Sequence, residues 1–561
     1  MAYMDAYQMW MESPFVSDEM KAELAEIKGN DIEIKSRFIS LLSFGTAGLR
    51  GILGAGLNRM NIYTVRHATQ GLAQLIKQEG AEACEKGVAV AYDSRIMSLE
   101  FSKEVCCVLA ANGIRSYLFD EPRPTPELSY AIRELGCVAG VNITASHNPK
   151  EYNGYKAYWS DGIQLSPEQA KTVADTMQAL DIFEDVKVNS YEDSAGFIQP
   201  LSSAFDEKYL SQVLSQIVRP DIIKKQTDLS IVYTPFHGAG YKLVPQALYR
   251  AGFTNIHPVK EQMVLDGTFP TVKSPNPENK EGFTLAIRLA ENLGSELIIG
   301  TDPDADRMGI VVRREDGQYI ALTGNQTGVI LLDYILRSKE ETNTMPKNPL
   351  VVKTIVTSEL AARICEKHHV QLINVLTGFK FIGEQIEKCI DTGAHSFLMG
   401  YEESYGYLVG TYARDKDGVV ASVLIAEAAA YYKSLGMTLW DALCQIYNTY
   451  GYHMETTVNI VMEGIDGKEK MKKLMAQLRD NAPKELGGIA VIDLKDFSKG
   501  ILGLPKSDVL YYTLQDKSVV VIRPSGTEPK VKIYIMVSAK DEMTATQKTQ
   551  TLAADFKQKY L

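Results

Sequence analysis

What this chain lacks narrows its chemistry before any motif is read. Seven cysteines among 561 residues (Cys84, Cys106, Cys107, Cys137, Cys365, Cys389 and Cys444) are odd in number, scattered and without a C-x-x-C pair. Neither a disulfide framework nor a cysteine zinc site is expected, and most of these thiols should serve as small core residues. The adjacent His368 and His369 point in different directions along any regular backbone and are weak candidates as metal ligands. No uninterrupted apolar stretch is long enough to span a bilayer, and the first residues, MAYMDAYQMWMESP, carry acids instead of a basic leader region. A cytoplasmic protein with no membrane partner is therefore expected. Low-complexity tracts are absent, which predicts a fully folded chain. Positive charge is in deficit, 59 basic against 70 acidic residues for a net charge of −11. That balance argues against nucleic acid as a partner while leaving room for a local basic pocket; no obligate protein partner is evident.

The length exceeds what one hydrophobic core supports and predicts roughly three to five domains. GVAVAYDSR, an apolar run with a polar end, precedes EFSKEVCCVLAANGI, whose apolar positions recur at helical spacing and whose Gly113 suits a helix C-terminus. The same strand-then-helix rhythm returns in LSIVYTPFHGAG and in SELAARICEKHHVQLINVLTG, as in sheets joined by crossover helices. Four short apolar runs give way abruptly to polar loops: CVAGVNI to TASHNP, SELIIG to TDPDADR, HSFLMG to YEESYG, and SVVVI to RPSGTEPK. Ligands in α/β folds bind beyond the carboxyl ends of strands, so a cleft built from four loops is expected. Punctuation at FIQPLSSAF, REDGQYIALTGNQ and YNTYGYHMETTVN predicts domains over 1–205, 206–320, 321–445 and 446–561.

DPDADR supplies Asp302, Asp304 and Asp306. In an extended loop these would share a side, and a divalent cation would offset three converging charges. An EF-hand is excluded because its sixth position is Arg307 and its twelfth Arg313; a solvated acidic turn remains the plain alternative. RPSGTEPK joins Arg523, Ser525, Gly526, Thr527 and Lys530, a set suited to a phosphate dianion or to a simple turn. Arg50 lies between glycines in FGTAGLRG, Lys380 follows Gly378 in TGFKF, and YEESYG offers Glu402 and Ser404. Ser146 in TASHNP lacks the flanking glycines of a hydrolase elbow, and its neighbour His147 cannot be assumed to act as its base. A serine that carries a phosphoryl group instead needs a metal, cations for a second phosphate and an acid/base for the acceptor hydroxyl.

FGTAGLRG, TASHNP with NGYKAY, GTDPDADR, GYEESYG and RPSGTEPK, in this order from about residue 40 to the carboxyl end, resemble the α-D-phosphohexomutase superfamily, most closely its long phosphoglucomutase/phosphopentomutase branch. The resemblance implies three similar α/β domains with mixed sheets and a smaller C-terminal α+β domain around a central cleft. It also implies a catalytic set of Ser146 as phosphoserine, His147, Arg50, Arg307 and Lys156 as general acid/base. Mg2+ would be held by Ser146, Asp302, Asp304 and Asp306. Gly378, Lys380, Glu402 and Ser404 would recognise the sugar, and Arg523, Ser525, Gly526 and Thr527 the phosphate that is not transferred. The implied reaction interconverts glucose 1-phosphate and glucose 6-phosphate, with glucose 1,6-bisphosphate as activator and intermediate and sugar phosphates as the partners. DPDADR and GYEESYG depart from the DGDGDR and GE-x-S-G styles of other branches, which leaves ribose or deoxyribose 1-phosphate open as the substrate. A sugar-phosphate sensor that carries no phosphoryl group is the non-catalytic alternative, and an aspartyl-phosphate hydrolase is disfavoured because Asp304-Ala305-Asp306 continues to Arg307 and Met308.

Overall fold

A computed structural model describes residues 3–462, 467–524 and 530–560. The chain forms two compact units: Met1–Leu322 with Gly406–Ser434, and Thr323–Tyr405 with Leu435–Leu561.

The first unit holds two mixed sheets. In the six-stranded one the spatial order is Leu49–Ile52, Tyr152–Trp159, Ala139–Ile143, Val88–Tyr92, Ser116–Phe119 and Ile198–Leu201. Tyr152–Trp159 pairs antiparallel with both its neighbours, and the other three pairings are parallel. Val88–Tyr92 and Ala139–Ile143 are buried at every position, which explains why both read as continuous apolar runs: a central parallel strand is covered on both faces. Helices Ser98–Ala111 and Thr125–Glu134 both pack on Val88–Tyr92. Helix Ile62–Gln78 is started by a reciprocal cap in which Asn61 and Thr64 satisfy each other's backbone N–H groups.

The five-stranded sheet runs Tyr319–Ala321, Met308–Arg313, Leu297–Thr301, Ile231–Thr234, Ile256–Pro258. The tight turn from Leu297–Thr301 back to Met308–Arg313 carries the three aspartates. Helix Gly418–Ser434 is apolar on nearly all sides, GVVASVLIAEAAAYYKS, and is accordingly buried along most of its length. It packs behind both strands that flank this turn.

The second unit joins a parallel arrangement, Gln371–Val375 beside Pro349–Thr354 beside Ser396–Glu402, to a six-stranded antiparallel sheet. That sheet is ordered Tyr452–Val461, Lys530–Ala539, Val519–Pro524, Leu510–Leu514, Ile489–Asp496, Glu485–Leu486. Its strands alternate between two cores, as a period of two requires. Val520 and Ile522 pack in the core shared with helices Gly467–Asp480 and Glu542–Tyr560. Val519 and Val521 pack with Ile355, Val356 and Leu376 beyond the ends of the parallel strands. Among the described residues no single helix is long and apolar enough to cross a membrane. None of the seven cysteines is in a disulfide, and five are buried.

Candidate active site

All four apolar runs form strands; CVAGVNI ends at Ile143 as expected, while the other three continue one or two residues into the polar segment, to Thr301, Glu402 and Pro524, and two of the loops that follow meet inside the first unit. The chain leaves strand Ala139–Ile143 through Thr144, whose Oγ1 accepts the Ser146 N–H at 2.8 Å. Ser146 is a non-glycine residue in left-handed backbone, φ +52°, a conformation that costs about 1–2 kcal/mol and persists only where neighbours over-determine it. Its Oγ donates to Asp302 Oδ2 at 2.8 Å and lies 3.2 Å from His147 Nδ1. The serine and its sequence neighbour are thus within hydrogen-bond reach after all.

Asp302, Asp304 and Asp306 each place a carboxylate oxygen within 4.8 Å of the others, and all three are buried. The convergence does not arise from an extended loop. Ala305 N–H bonds back to Asp302 O at 2.9 Å and Ala305 itself has φ +49°, so the segment is a tight turn. Lys156 Nζ donates to Asp304 Oδ2 at 2.6 Å and Asp306 Oδ2 at 3.0 Å, and Thr125 Oγ1 donates to Asp304 Oδ2 at 2.6 Å. Lys416 Nζ lies 3.2 Å from Asp306 Oδ2 and 3.1 Å from Asp415 Oδ1.

The electrostatics follow from burial. Asp302 is pushed well above the usual carboxylate range by burial and then by Asp304 and Asp306. Burial opposes the charge on Asp306 too, but Lys156, Lys416 and Arg307 outweigh it and hold its carboxyl below the usual range. Burial likewise works against the Lys156 charge, yet Asp304 and Asp306 raise its affinity for a proton above that of an ordinary lysine. His147 is driven well below the usual histidine value, first by burial and then by Arg307 and Arg50, so it is neutral at pH 7. Asp304 Oδ1 and Asp306 Oδ1 are buried with no hydrogen-bond partner among the described residues. Orphaned carboxylate oxygens converging with a third acid and a serine hydroxyl are what a hard, oxygen-seeking divalent cation fits. Arg50 Nη1 donates to Asn148 Oδ1 at 3.0 Å and Arg307 Nη1 to Glu278 Oε1 at 3.0 Å, which places both guanidinium groups in the surroundings of the serine and acid loops.

The second unit carries the other expected residues. Glu402 ends strand Ser396–Glu402 and accepts from Gly378 N–H at 2.8 Å; Ser404 Oγ lies 3.5 Å from its other oxygen. Gly378 has φ +121°, a backbone that favours glycine. Lys380 opens helix Lys380–Thr392, lies 4.8 Å from the Phe381 ring centre and is lowered by burial. Arg523 sits near the end of strand Val519–Pro524. Ser525, Gly526 and Thr527 lie outside the described residues.

Sequence reasoning missed Lys416, Thr125 and Glu403. Lys416 lies in ARDKDG, a charged run that reads as solvated; in the structure Arg414, Asp415, Lys416 and Asp417 are all buried. Its signal is the long apolar helix that follows without a break. Thr125 carries no local signal, since its contact with Asp304 spans 179 residues. Glu403 is raised to about 7 by burial and the adjacent Glu402, with Arg523 and Lys532 opposing.

Sequence families described as Phosphoglucomutase/phosphomannomutase, alpha/beta/alpha domains I, II and III match residues 41–182, 207–317 and 323–450. A phosphoglucomutase of Staphylococcus aureus strain MRSA252 is 36% identical over 534 residues, covering 93% of this chain and 94% of the relative. One from Staphylococcus haemolyticus is 37% identical over 516 residues, covering 89% and 91%. Among solved structures, the open form of the Paramecium phosphoprotein pp63/parafusin superposes with a TM-score of 0.67 at 18% identity, over 92% of this chain and 94% of that one. A Burkholderia thailandensis phosphoglucomutase/phosphomannomutase family protein gives 0.66 at 17%, over 92% and 97%; at these identities the likeness is one of fold.

Proposed function

The chain belongs to the α-D-phosphohexomutase superfamily, in its phosphoglucomutase/phosphomannomutase family, and from that premise we propose that it interconverts glucose 1-phosphate and glucose 6-phosphate. Its activity is that of a phosphoglucomutase, an isomerase-class intramolecular phosphotransferase. The observation that carries the residue assignment is the 2.8 Å contact of Ser146 Oγ with Asp302 inside a buried acidic cluster.

In this reading Ser146 carries the phosphoryl group and attacks or releases it through Oγ. Asp302, Asp304 and Asp306 hold Mg2+, which when bound neutralises phosphoryl charge. Arg50 and Arg307 add fixed positive charge near the transferring group. Lys156 is the acid/base group for the sugar hydroxyl, a role that requires the hold of Asp304 and Asp306 on its proton to be relaxed when a second cation engages those carboxylates. His147 stays uncharged and holds the serine hydroxyl's orientation. Glu402 and Ser404 bind sugar hydroxyls, with Gly378 and Lys380 setting the sugar's orientation. Arg523 with Ser525, Gly526 and Thr527 holds the distal phosphate, and glucose 1,6-bisphosphate is the intermediate that must turn over in place. The division into four domains at 205, 320 and 445 belongs to the same proposal; four sheets in sequence order support it.

The test is a coupled assay comparing glucose 1-phosphate with ribose and deoxyribose 1-phosphates, with Ser146→Ala as control. Faster turnover of a pentose phosphate would overturn the hexose assignment. Full turnover by Ser146→Ala would overturn the carrier.

A further inference from the structure

We propose that Arg95 is a positioning residue for the phosphoryl carrier, setting the direction of Ser146 Oγ by gripping the carbonyls of its loop. The inference rests on the reading of Ser146 given above. Arg95 follows strand Val88–Tyr92 in the segment YDSR and is only 3% exposed. Its Nη1 donates to Pro149 O at 2.9 Å and to Tyr152 O at 3.0 Å, and its Nη2 donates to Ser146 O and Asn148 O. One guanidinium therefore takes four backbone carbonyls from a stretch of seven residues. Of the carbonyls between them, His147 O accepts from Ser274 Oγ at 3.3 Å and Glu151 O from the Leu53 N–H at 2.8 Å.

The grip is itself fixed. Asp93 Oδ1 accepts the Arg95 N–H at 2.9 Å and Ser98 Oγ at 2.8 Å, and Asp93 Oδ2 lies 3.3 Å from Arg95 Nε. The guanidinium carbon lies 5.0 Å from the centre of the Phe269 ring, over its face, a favourable cation–π distance.

Two physical consequences follow. Holding Ser146 O fixes the ψ angle of a residue whose φ is already in the left-handed region. With φ and ψ both set, the Cα–Cβ bond has one direction, and the 2.8 Å bond to Asp302 Oδ2 then selects the one χ1 rotamer that Oγ takes. Secondly, carbonyl oxygens left loose beside a phosphoserine dianion would repel it; a planar cation with five N–H donors engages them together, whereas a lysine ammonium has three donors on one point and cannot span the same fan. Arg95 bonds to backbone carbonyls, so it acts through Ser146 and is not itself a catalytic residue.

The experiment compares kcat and KM for glucose 1-phosphate in wild type, Arg95→Lys, Arg95→Gln and Phe269→Leu, each with thermal midpoint and intact mass after incubation with glucose 1,6-bisphosphate. Misaiming the carrier by a fraction of an ångström is expected to lower kcat in Arg95→Lys by about 10- to 100-fold, with KM held within about threefold. Arg95→Gln should fall further. Phe269→Leu, which removes the ring and none of the hydrogen-bond partners of Arg95, should lose about threefold to tenfold in kcat with the midpoint lowered by only a few degrees for the trimmed buried ring, and it keeps the test decisive should both Arg95 variants fail to fold. Slower phosphoryl uptake on Ser146 in the folded variants would support the role. A folded Arg95→Lys with wild-type kcat, a loss confined to KM, or unfolded Arg95 variants beside a fully active Phe269→Leu would each overturn it. A wild-type protein that gains no covalent phosphate and turns over no sugar phosphate would overturn the reading of Ser146 itself, and this role with it.

Discussion

Ser146 Oγ donates a 2.8 Å hydrogen bond to Asp302 Oδ2, joining residues 156 apart in sequence. The bond brings a hydroxyl nucleophile against a buried acid whose charge is disfavoured by its surroundings, so both groups are poised for a partner that supplies positive charge. Ser146→Ala is expected to reduce glucose 1-phosphate turnover by at least about a thousandfold while the thermal midpoint stays close to wild type, since one buried hydroxyl is lost without a cavity. Coupled assay and intact mass check it; the variant should gain no phosphoryl group from glucose 1,6-bisphosphate.

Metal addition and acid removal should each relieve the cluster's repulsion, and the second should blunt the first. The cluster holds three buried carboxylates, and whatever repulsion Lys156 and Lys416 leave uncompensated is a cost the folded chain bears until a divalent cation binds. Mg2+ at about a hundred times its dissociation constant should stabilise the protein by about 3 kcal/mol. Asp302→Asn should keep or raise the metal-free thermal midpoint and lose most of the Mg2+-induced rise. Calorimetric melts with and without Mg2+ after chelator treatment decide the matter.

Gly418 opens the helix behind the acid turn, and its N–H donates to Ala305 O at 3.0 Å. A Cβ there would lie 2.6 Å from Ala305 O and 2.9 Å from Arg307 O, both backbone atoms. Alanine gains about 1 kcal/mol of helix propensity, but overpacking against fixed backbone costs about 1–3 kcal/mol and the clash should win. Gly418→Ala is expected to lower the thermal midpoint by a few degrees and kcat by roughly tenfold, because relief of the clash moves the aspartates. Melting curves and steady-state kinetics would expose the opposite sign.

Glu455, on strand Tyr452–Val461, is pushed by burial from an ordinary value of 4.5 up to about 7, with Ser358 and Lys353 offsetting only part. Between those two values the folded protein keeps a proton that the unfolded chain releases, so the contribution of this group to stability falls as pH rises through that window and levels off above it. Glu455→Gln removes the dependence. The thermal midpoint of the variant minus that of wild type should grow from about pH 5 to about pH 7, by the equivalent of roughly 2 kcal/mol, and then stay flat. Melts across that range measure it directly.

Much of the fold and part of the site were legible in local patterns. CVAGVNI, SELIIG, HSFLMG and SVVVI became Ala139–Ile143, Leu297–Thr301, Ser396–Glu402 and Val519–Pro524, because strands buried on both faces announce themselves as short apolar runs. The convergence of Asp302, Asp304 and Asp306 was anticipated, though its cause is a turn closed through Ala305 and not an extended strand. Lys416 on Asp306, Thr125 on Asp304 and Arg95 on the serine loop left no comparable trace. Each is a through-space contact between segments roughly 50 to 180 positions apart, and nothing in a residue's immediate neighbours encodes a partner that distant. The return of Gly406–Ser434 to the first unit was hidden for the same reason.

That return has a bearing on how the molecule comes into being. A ribosome delivers the chain from its amino end at roughly 5–20 residues per second, and domains generally fold as they emerge. The acid turn at 302–306 is released early, yet Lys416, Gly418 and the apolar helix that back it belong to Gly406–Ser434. For the many seconds of translation in between, a nascent polypeptide truncated anywhere before that segment exposes the apolar flank meant for it, so stalled or fragmentary products should be clients for chaperones, and a gene split near residue 322 should need both halves made together.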